Sequence, residues 1–170
     1  MKRLYVLLLT FFTIMTLVGC SEEVPENSTT VTFYYIHNEM EFGTETPLLS
    51  EVKRTVPSLT STPNDLIRLY LNGPTSYDCI SPFPGGTELL DMYVDGSRAT
   101  LVLSPHIGTM SAVNQTIAYA CLTKTVIALT GVETVQLRLE NSLINGEEMM
   151  SFSESSFAMF DSMTQNDLYE

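Results

Sequence analysis

Basic residues and histidine are scarce in this sequence. It has 8 Lys and Arg against 20 Asp and Glu, a formal net charge of -12 at pH 7, and two His. Beyond Lys2 and Arg3, the basic residues are scattered singly apart from Lys53-Arg54. Because phosphate binding needs clustered Lys and Arg, this composition argues against nucleic acid as a partner. The same charge disfavours direct contact between the chain surface and anionic lipid.

The two histidines do not form a catalytic or metal-binding pattern. His37 lies beside a strand pattern, and neither it nor His106 has a two-histidine metal spacing or a nucleophile motif. Ser104 and His106 are too close along the chain for a catalytic pair, because triads join separate segments with an orienting acid and an oxyanion hole. Gly85-Gly86 lacks the Lys-Ser or Lys-Thr of a phosphate loop. We expect no catalytic residues, no metal site and no cofactor.

Cysteine is also sparse, and the first of the three ends a hydrophobic leader. Lys2 and Arg3 precede an apolar run, Leu4–Val18, that is shorter than the roughly 20 residues of a comfortable membrane span. Leu17-Val18-Gly19-Cys20 then resembles the bacterial lipobox at all four positions. We therefore interpret residues 1–19 as a lipoprotein signal peptide and Cys20 as the lipid attachment site. A plain transmembrane anchor, or a signal peptide cleaved elsewhere, is the weaker alternative.

Lipidation at Cys20 predicts where the protein resides. One acyl chain anchors a protein only marginally, at roughly 0.8 kcal/mol per buried methylene, so diacylglycerol with palmitate-type chains would supply the second chain. We expect a lipid anchor in the cell membrane, on its extracytoplasmic face. Without Lys2 and Arg3 the mature chain has six basic and 20 acidic residues, a net charge of -14.

Cys79 and Cys121 remain after Cys20 is assigned to the anchor. Outside the cytoplasm they could form a disulfide, which makes them a disulfide candidate pair. The alternative is two separate, small, buried hydrophobic residues. The sequence leaves both open, because it does not show whether their Cα atoms come within bridging distance.

The chain after the anchor is organised as one domain. Residues 20–30 are acidic and polar, which is typical of a flexible spacer. Val31–Ile36 and Leu49–Val56 are predicted strands. Thr62 is a predicted N-cap of a short helix that ends at Gly73-Pro74.

Asp95-Gly96 joins two further strand patterns and favours a two-residue type I′ turn. Such a turn sets Val94 opposite Ser97 and Met92 opposite Ala99. Alternation then predicts one core-facing set: Leu90, Met92, Val94, Ala99, Leu101 and Leu103.

A long helical stretch runs from about Thr109 to Thr130 and is apolar on two nearly opposite sides, with Lys124 its only charged residue. This pattern indicates a core helix between layers, with partner docking as the alternative. Val132–Leu139 is the last predicted strand. The order ββαββαβ predicts a single small α+β domain in which two helices pack on a mixed sheet.

These elements contain motifs that together resemble a GerMN domain, the sporulation and spore germination domain of bacterial lipoproteins, over residues 31–146. The motifs are Leu69-Tyr70-Leu71-Asn72-Gly73-Pro74; Ser81-Pro82-Phe83-Pro84-Gly85-Gly86-Thr87 with Leu89-Leu90; Asp95-Gly96 through Ala99 to Leu103-Ser104; and Gly131-Val132 with Val135. Their order and spacing carry the resemblance, since each motif alone is common.

The resemblance implies a non-catalytic domain similar to ring-building domains, although this chain has one copy rather than a tandem pair. Envelope or sporulation proteins, or a second copy of the chain, are the expected partners. We expect the exposed part of the second helix and the sheet edge at Val31–Ile36 to form the contact surface. Two alternatives are regulation of cell-wall hydrolysis and binding of a small envelope ligand in a groove.

The C-terminal tail, residues 147–170, is acidic and rich in Met and Phe. This density of apolar side chains predicts that the tail packs back on the domain, with partner binding through soft Met and Phe side chains as the alternative.

Overall fold

The computed structural model describes residues 27–38, 47–58, 61–141, 144, 147–164 and 167. The predicted signal peptide and Cys20 lie outside these residues. Within the described part of the chain, no helix combines the length and apolarity needed to cross a membrane.

The described residues form two helices, seven strands and two 3-10 helices. In chain order they are β1 (Ser28–His37), β2 (Leu49–Pro57), α1 (Pro63–Leu71), β3 (Cys79–Ile80), β4 (Leu89–Asp95), β5 (Arg98–Leu103), α2 (Ala112–Thr130), β6 (Thr134–Leu139) and β7 (Met150–Ser153). The 3-10 helices are Pro105–Thr109, before α2, and Glu154–Asp161, after β7. The predicted α+β class is confirmed. The observed order adds the short strands β3 and β7 to the predicted one, and β1 begins at Ser28 rather than near Val31.

The strands form two sheets. The first has the order β2-β1-β3 and is antiparallel. The second has the order β4-β5-β6-β7, with β5 and β6 parallel and the outer pairs antiparallel. The predicted mixed sheet is therefore this second sheet. A parallel pair needs a long crossover connection, and α2 supplies it between β5 and β6.

Local signals in the sequence account for both helices. Thr62 caps α1: its hydroxyl accepts a hydrogen bond from the Asp65 N–H, and its own N–H donates to the Asp65 carboxylate. Ser111 caps the start of α2, and Gly131 ends it in the left-handed conformation at φ 71°. One face of α1 is buried, through Leu66, Ile67 and Tyr70.

Helix α2 forms the centre of the core. Every residue from Ile117 to Val126 is buried, and the helix contacts β1, β6, α1 and the second 3-10 helix. Between Ile117 and Val126 the helix contacts structure on several sides and has no solvent face, which explains why both of its sides are apolar there. The prediction of a core helix is confirmed.

The β4–β5 hairpin differs from the predicted register. Val94 pairs with Ala99 and Met92 with Leu101, so the turn residues are Gly96 and Ser97. Only Gly96 has a positive φ there, whereas a type I′ turn needs two such residues, so the predicted turn type and pairing are wrong.

A bulge between Leu89 and Asp91 shifts the start of β4. Leu89 is therefore buried in the core and Leu90 is exposed, which reverses the prediction for Leu90. Further along the strand the alternation holds: Met92 is buried, and Val94 lies on the same face at the exposed strand end.

The described stretch of the tail, residues 147–164, packs on the domain, as predicted. Phe157 and Phe160 are buried, and the Phe152 ring in β7 stacks on Tyr119 of α2 at a centroid distance of 5.6 Å. Met159 stays exposed.

Candidate functional site

The predicted contact surface at the edge of β1 is closed from Tyr34 onward. The Tyr34 N–H donates to Thr125 Oγ1 of α2 at 2.9 Å, and the Tyr70 hydroxyl donates to the Tyr34 carbonyl at 2.8 Å. The next residues, Ile36 and His37, pair with β3. Side chains and a short strand thus satisfy the backbone groups that a partner strand would have used at Tyr34–His37.

Little of α2 is free for contact either. Its first turn is exposed, with Val113 59% exposed, whereas the stretch from Ile117 to Val126 is covered. The geometry therefore does not support the predicted surface of α2 and the β1 edge as a continuous contact area.

An aromatic cluster underlies the closed edge. Tyr70 of α1 lies 4.9 Å from Tyr35, 5.5 Å from Phe33 and 5.5 Å from Phe83 between ring centroids. The Tyr35 hydroxyl donates to the Tyr70 carbonyl at 3.0 Å. Burial raises the pKa of both Tyr35 and Tyr70, because a phenolate is poorly solvated there. These groups hold α1 on the first sheet.

The C-terminal strap, defined as residues 147–164, joins the two sheets. Its strand β7 pairs with β6 in the second sheet. Asp161 forms an ion pair with Lys124 of α2 at 2.7 Å, and the Met163 carbonyl accepts a hydrogen bond from the Leu48 N–H, just before β2, at 3.0 Å. The strap is thus part of the folded unit.

Lys124 is the charged residue at this junction. Its side chain is 8% exposed, and its Nζ lies 5.9 Å from the ring centroid of Tyr34. A buried ammonium needs such partners to offset its lost hydration. The sequence showed only that Lys124 is the single charge in an apolar helix; no sequence signal pointed to Asp161.

A groove of about 280 Å³ separates the end of α1 from the loop that enters β4. Its lining residues come from two of the family-like motifs and their flanks: Arg68, Leu71, Asn72, Thr87, Glu88 and Leu89. It is a candidate for the ligand groove that the sequence analysis considered as an alternative.

Ser104 and His106 hold one wall of this groove. The Ser104 hydroxyl accepts from the Glu88 N–H at 2.9 Å, lies 3.0 Å from His106 Nδ1 and donates to the Gly86 carbonyl at 3.4 Å. Since Ser104 is 6% exposed and bonded to loop groups, the pair fixes the loop rather than presenting a nucleophile.

Cys79 and Cys121 are free, buried thiols, one in β3 and one in the middle of α2. Burial raises the pKa of Cys121, which disfavours its reactive thiolate. This state matches the alternative of two separate buried residues, and the disulfide stays a prediction for an oxidising environment. Among the described residues, no group of three His, Cys, Asp or Glu side chains is placed to hold a metal ion.

These features define a small α+β domain with two sheets, a largely buried helix α2 and a C-terminal strap that contacts elements of both sheets. The family sequence model described as "Germane: Sporulation and spore germination" matches residues 32–145, about two thirds of the chain. The chain belongs to this family. No curated protein matches it in sequence.

Two solved structures from Bacillus subtilis show the same fold. The tandem GerMN domains of the sporulation protein GerM match at a TM-score of 0.60 and 14% identity, over 80% of this chain and 49% of that one. The first GerMN domain of GerM matches at a TM-score of 0.52 and 17% identity, over 71% of this chain and 85% of that one. This chain thus spans about half the length of the tandem structure.

Proposed function

We propose that this protein is a lipoprotein, anchored through Cys20 to the extracytoplasmic face of the cell membrane, whose non-catalytic GerMN domain assembles with other proteins in sporulation or spore germination. The observation that carries the proposal is the family match over residues 32–145 together with Leu17-Val18-Gly19-Cys20 upstream of it.

The hydrogen bonds of several polar groups inside the domain support the non-catalytic part of this proposal. Four residues form hydrogen bonds with loops and strand edges of the domain itself: Ser104, His106, Tyr34 and Tyr70. Acyl transfer needs a nucleophile, a base and an oxyanion hole facing a substrate. The Ser104–His106 pair supports a wall of the groove instead.

Lipid attachment is tested by labelling cells with a palmitate analogue and separating membranes from soluble proteins. We expect label on the parent chain in the membrane fraction and loss of both label and membrane association in Cys20→Ala. The matched control is Cys79→Ala, which removes a buried thiol and should keep the label. Label on Cys20→Ala would refute the anchor.

The biological role is tested by deleting the gene in its host and complementing with the parent chain or Cys20→Ala. The proposal predicts reduced spore yield or germination that only the parent chain restores. Altered wall lysis with normal sporulation would instead support the alternative role, regulation of cell-wall hydrolysis.

A further inference from the structure

The second sheet has one side on which most of the described side chains are exposed. The inner side carries buried Ala99, Leu101 and Leu103 on β5. Alternation therefore places the intervening residues, and their partners on β4 and β6, on the outer side. We call this outer side the open face and define it by six residues: Asp91, Tyr93, Asp95, Arg98, Gln136 and Arg138.

The open face is balanced in charge although the chain is strongly acidic. It holds Arg98 and Arg138, two of the six basic residues after the leader, with Asp91 and Asp95. The mature chain as a whole carries -14. Two acidic molecules repel one another over most of their surfaces, so a contact between copies is favoured where opposite charges are paired.

The row that contains Asp91 and Arg138 is self-complementary about a twofold axis along β5. In the row of Asp95, Arg98 lies on that axis and faces Arg98 of the second copy, with one Asp95 on each side. Asp91 of β4 and Arg138 of β6 lie in one row, on either side of Val102 in β5. Neighbouring strands are about 4.8 Å apart, so the two charges are separated by about 10 Å across the sheet. A twofold axis along β5 exchanges the positions of β4 and β6, which sets Asp91 of each copy against Arg138 of the other.

The centre of the open face suits protein contact. Tyr93 is 55% exposed, and tyrosine and arginine are enriched in protein interfaces. Beside it, Thr100 is buried and its hydroxyl donates to Gln136 Oε1 at 3.2 Å. This hydrogen bond between neighbouring strands satisfies the buried Thr100 hydroxyl. A partner that covers this position therefore does not leave the hydroxyl without a hydrogen bond.

We propose that a second copy of this chain docks on the open face, with the two sheets packed face to face about a twofold axis. The inference rests on the proposed assembly function and names the partner for it. Isologous pairing is the commonest symmetry of soluble oligomers. Anchoring both copies in one membrane would raise their effective concentration, so a modest solution affinity suffices.

The test is sedimentation velocity on the chain from Ser21 to Glu170, from about 1 µM to about 1 mM, which spans the affinities expected of weak dimers. We expect a reversible monomer–dimer equilibrium. Arg138→Glu should weaken dimerisation at least about tenfold, because like charges then face each other. Asp91→Arg should do the same, and the double variant Asp91→Arg with Arg138→Glu should restore the dimer.

The matched control is Arg68→Glu, the same charge reversal at an exposed site on α1, which should leave the dimer intact. Circular dichroism of each variant verifies that it is folded. A parent chain that is monomeric at every concentration, or a dimer unaffected by Arg138→Glu, overturns this inference. The palmitate-labelling and sporulation tests do not measure dimerisation. A negative result here therefore refutes the docking surface without refuting the proposed function.

Discussion

Lys124 Nζ lies 2.7 Å from Asp161 Oδ1, which links the middle of the central helix to the C-terminal strap. The lysine side chain is 8% exposed and the aspartate side chain 59% exposed. The aspartate thus brings a partly hydrated negative charge to an ammonium that has lost most of its water. Through this contact the strap contributes to the stability of the domain.

Asp161→Asn is expected to lower the free energy of unfolding by about 1 to 2 kcal/mol, since a buried charge loses its partner. Urea unfolding followed by circular dichroism measures the change. Glu148→Gln, an exposed carboxylate in the same strap, is the control and should have an effect below about 0.5 kcal/mol. In a Lys124→Met background the effect of Asp161→Asn should disappear, and an unchanged effect there would contradict the ion-pair explanation.

Gly131→Ala should destabilise the domain by about 1 kcal/mol, because Gly131 ends α2 with a positive φ that alanine adopts only with strain. An added Cβ would contact nothing within 4 Å, so the cost is a backbone effect. Gly85→Ala, also with open space around the new Cβ but without a positive φ, should be close to neutral. Equal effects of the two substitutions in thermal unfolding would refute the capping role.

Stability should fall in alkaline solution. Burial raises the pKa of Tyr34, Tyr35, Tyr70 and Tyr119 above the ordinary value of 10.0. Below pH 10 the folded and unfolded chains both keep these protons. Above it the unfolded chain releases them while the folded chain retains them, so the free energy of unfolding decreases as pH rises.

Urea unfolding between neutral pH and about pH 11 measures this decrease. Tyr70→Phe should show a shallower decrease, from a starting stability about 1 kcal/mol lower because its hydrogen bond to Tyr34 is lost. A pH-independent stability over this range would show that the tyrosines are not buried as described.

Thiol titration decides between the two interpretations of Cys79 and Cys121. The structure predicts two thiols in the denatured chain from Ser21 to Glu170, and slow reaction in the folded chain because both are buried. The chain should be purified without reductant, with a reduced sample as the control. Absence of free thiol in the unreduced sample would support the disulfide.

Several features followed from the sequence because short-range patterns encode them. The cap Thr62, the end of α2 at Gly131 and the two-sided apolarity of α2 depend on residues within a few turns of one another. The order and spacing of the motifs gave the family resemblance, which the match over residues 32–145 confirms. The lipobox around Cys20 remains a prediction from sequence.

Only the tertiary structure decided which strand edges are covered and which charged side chains form ion pairs. The bulge before Asp91 exposes Leu90, a shift that alternation alone does not reveal. Thr125 closes the edge of β1 at Tyr34, 91 residues away, and Asp161 reaches Lys124 across 37 residues. Such contacts depend on which elements pack together, and packing is set by the whole core rather than by any local run of residues.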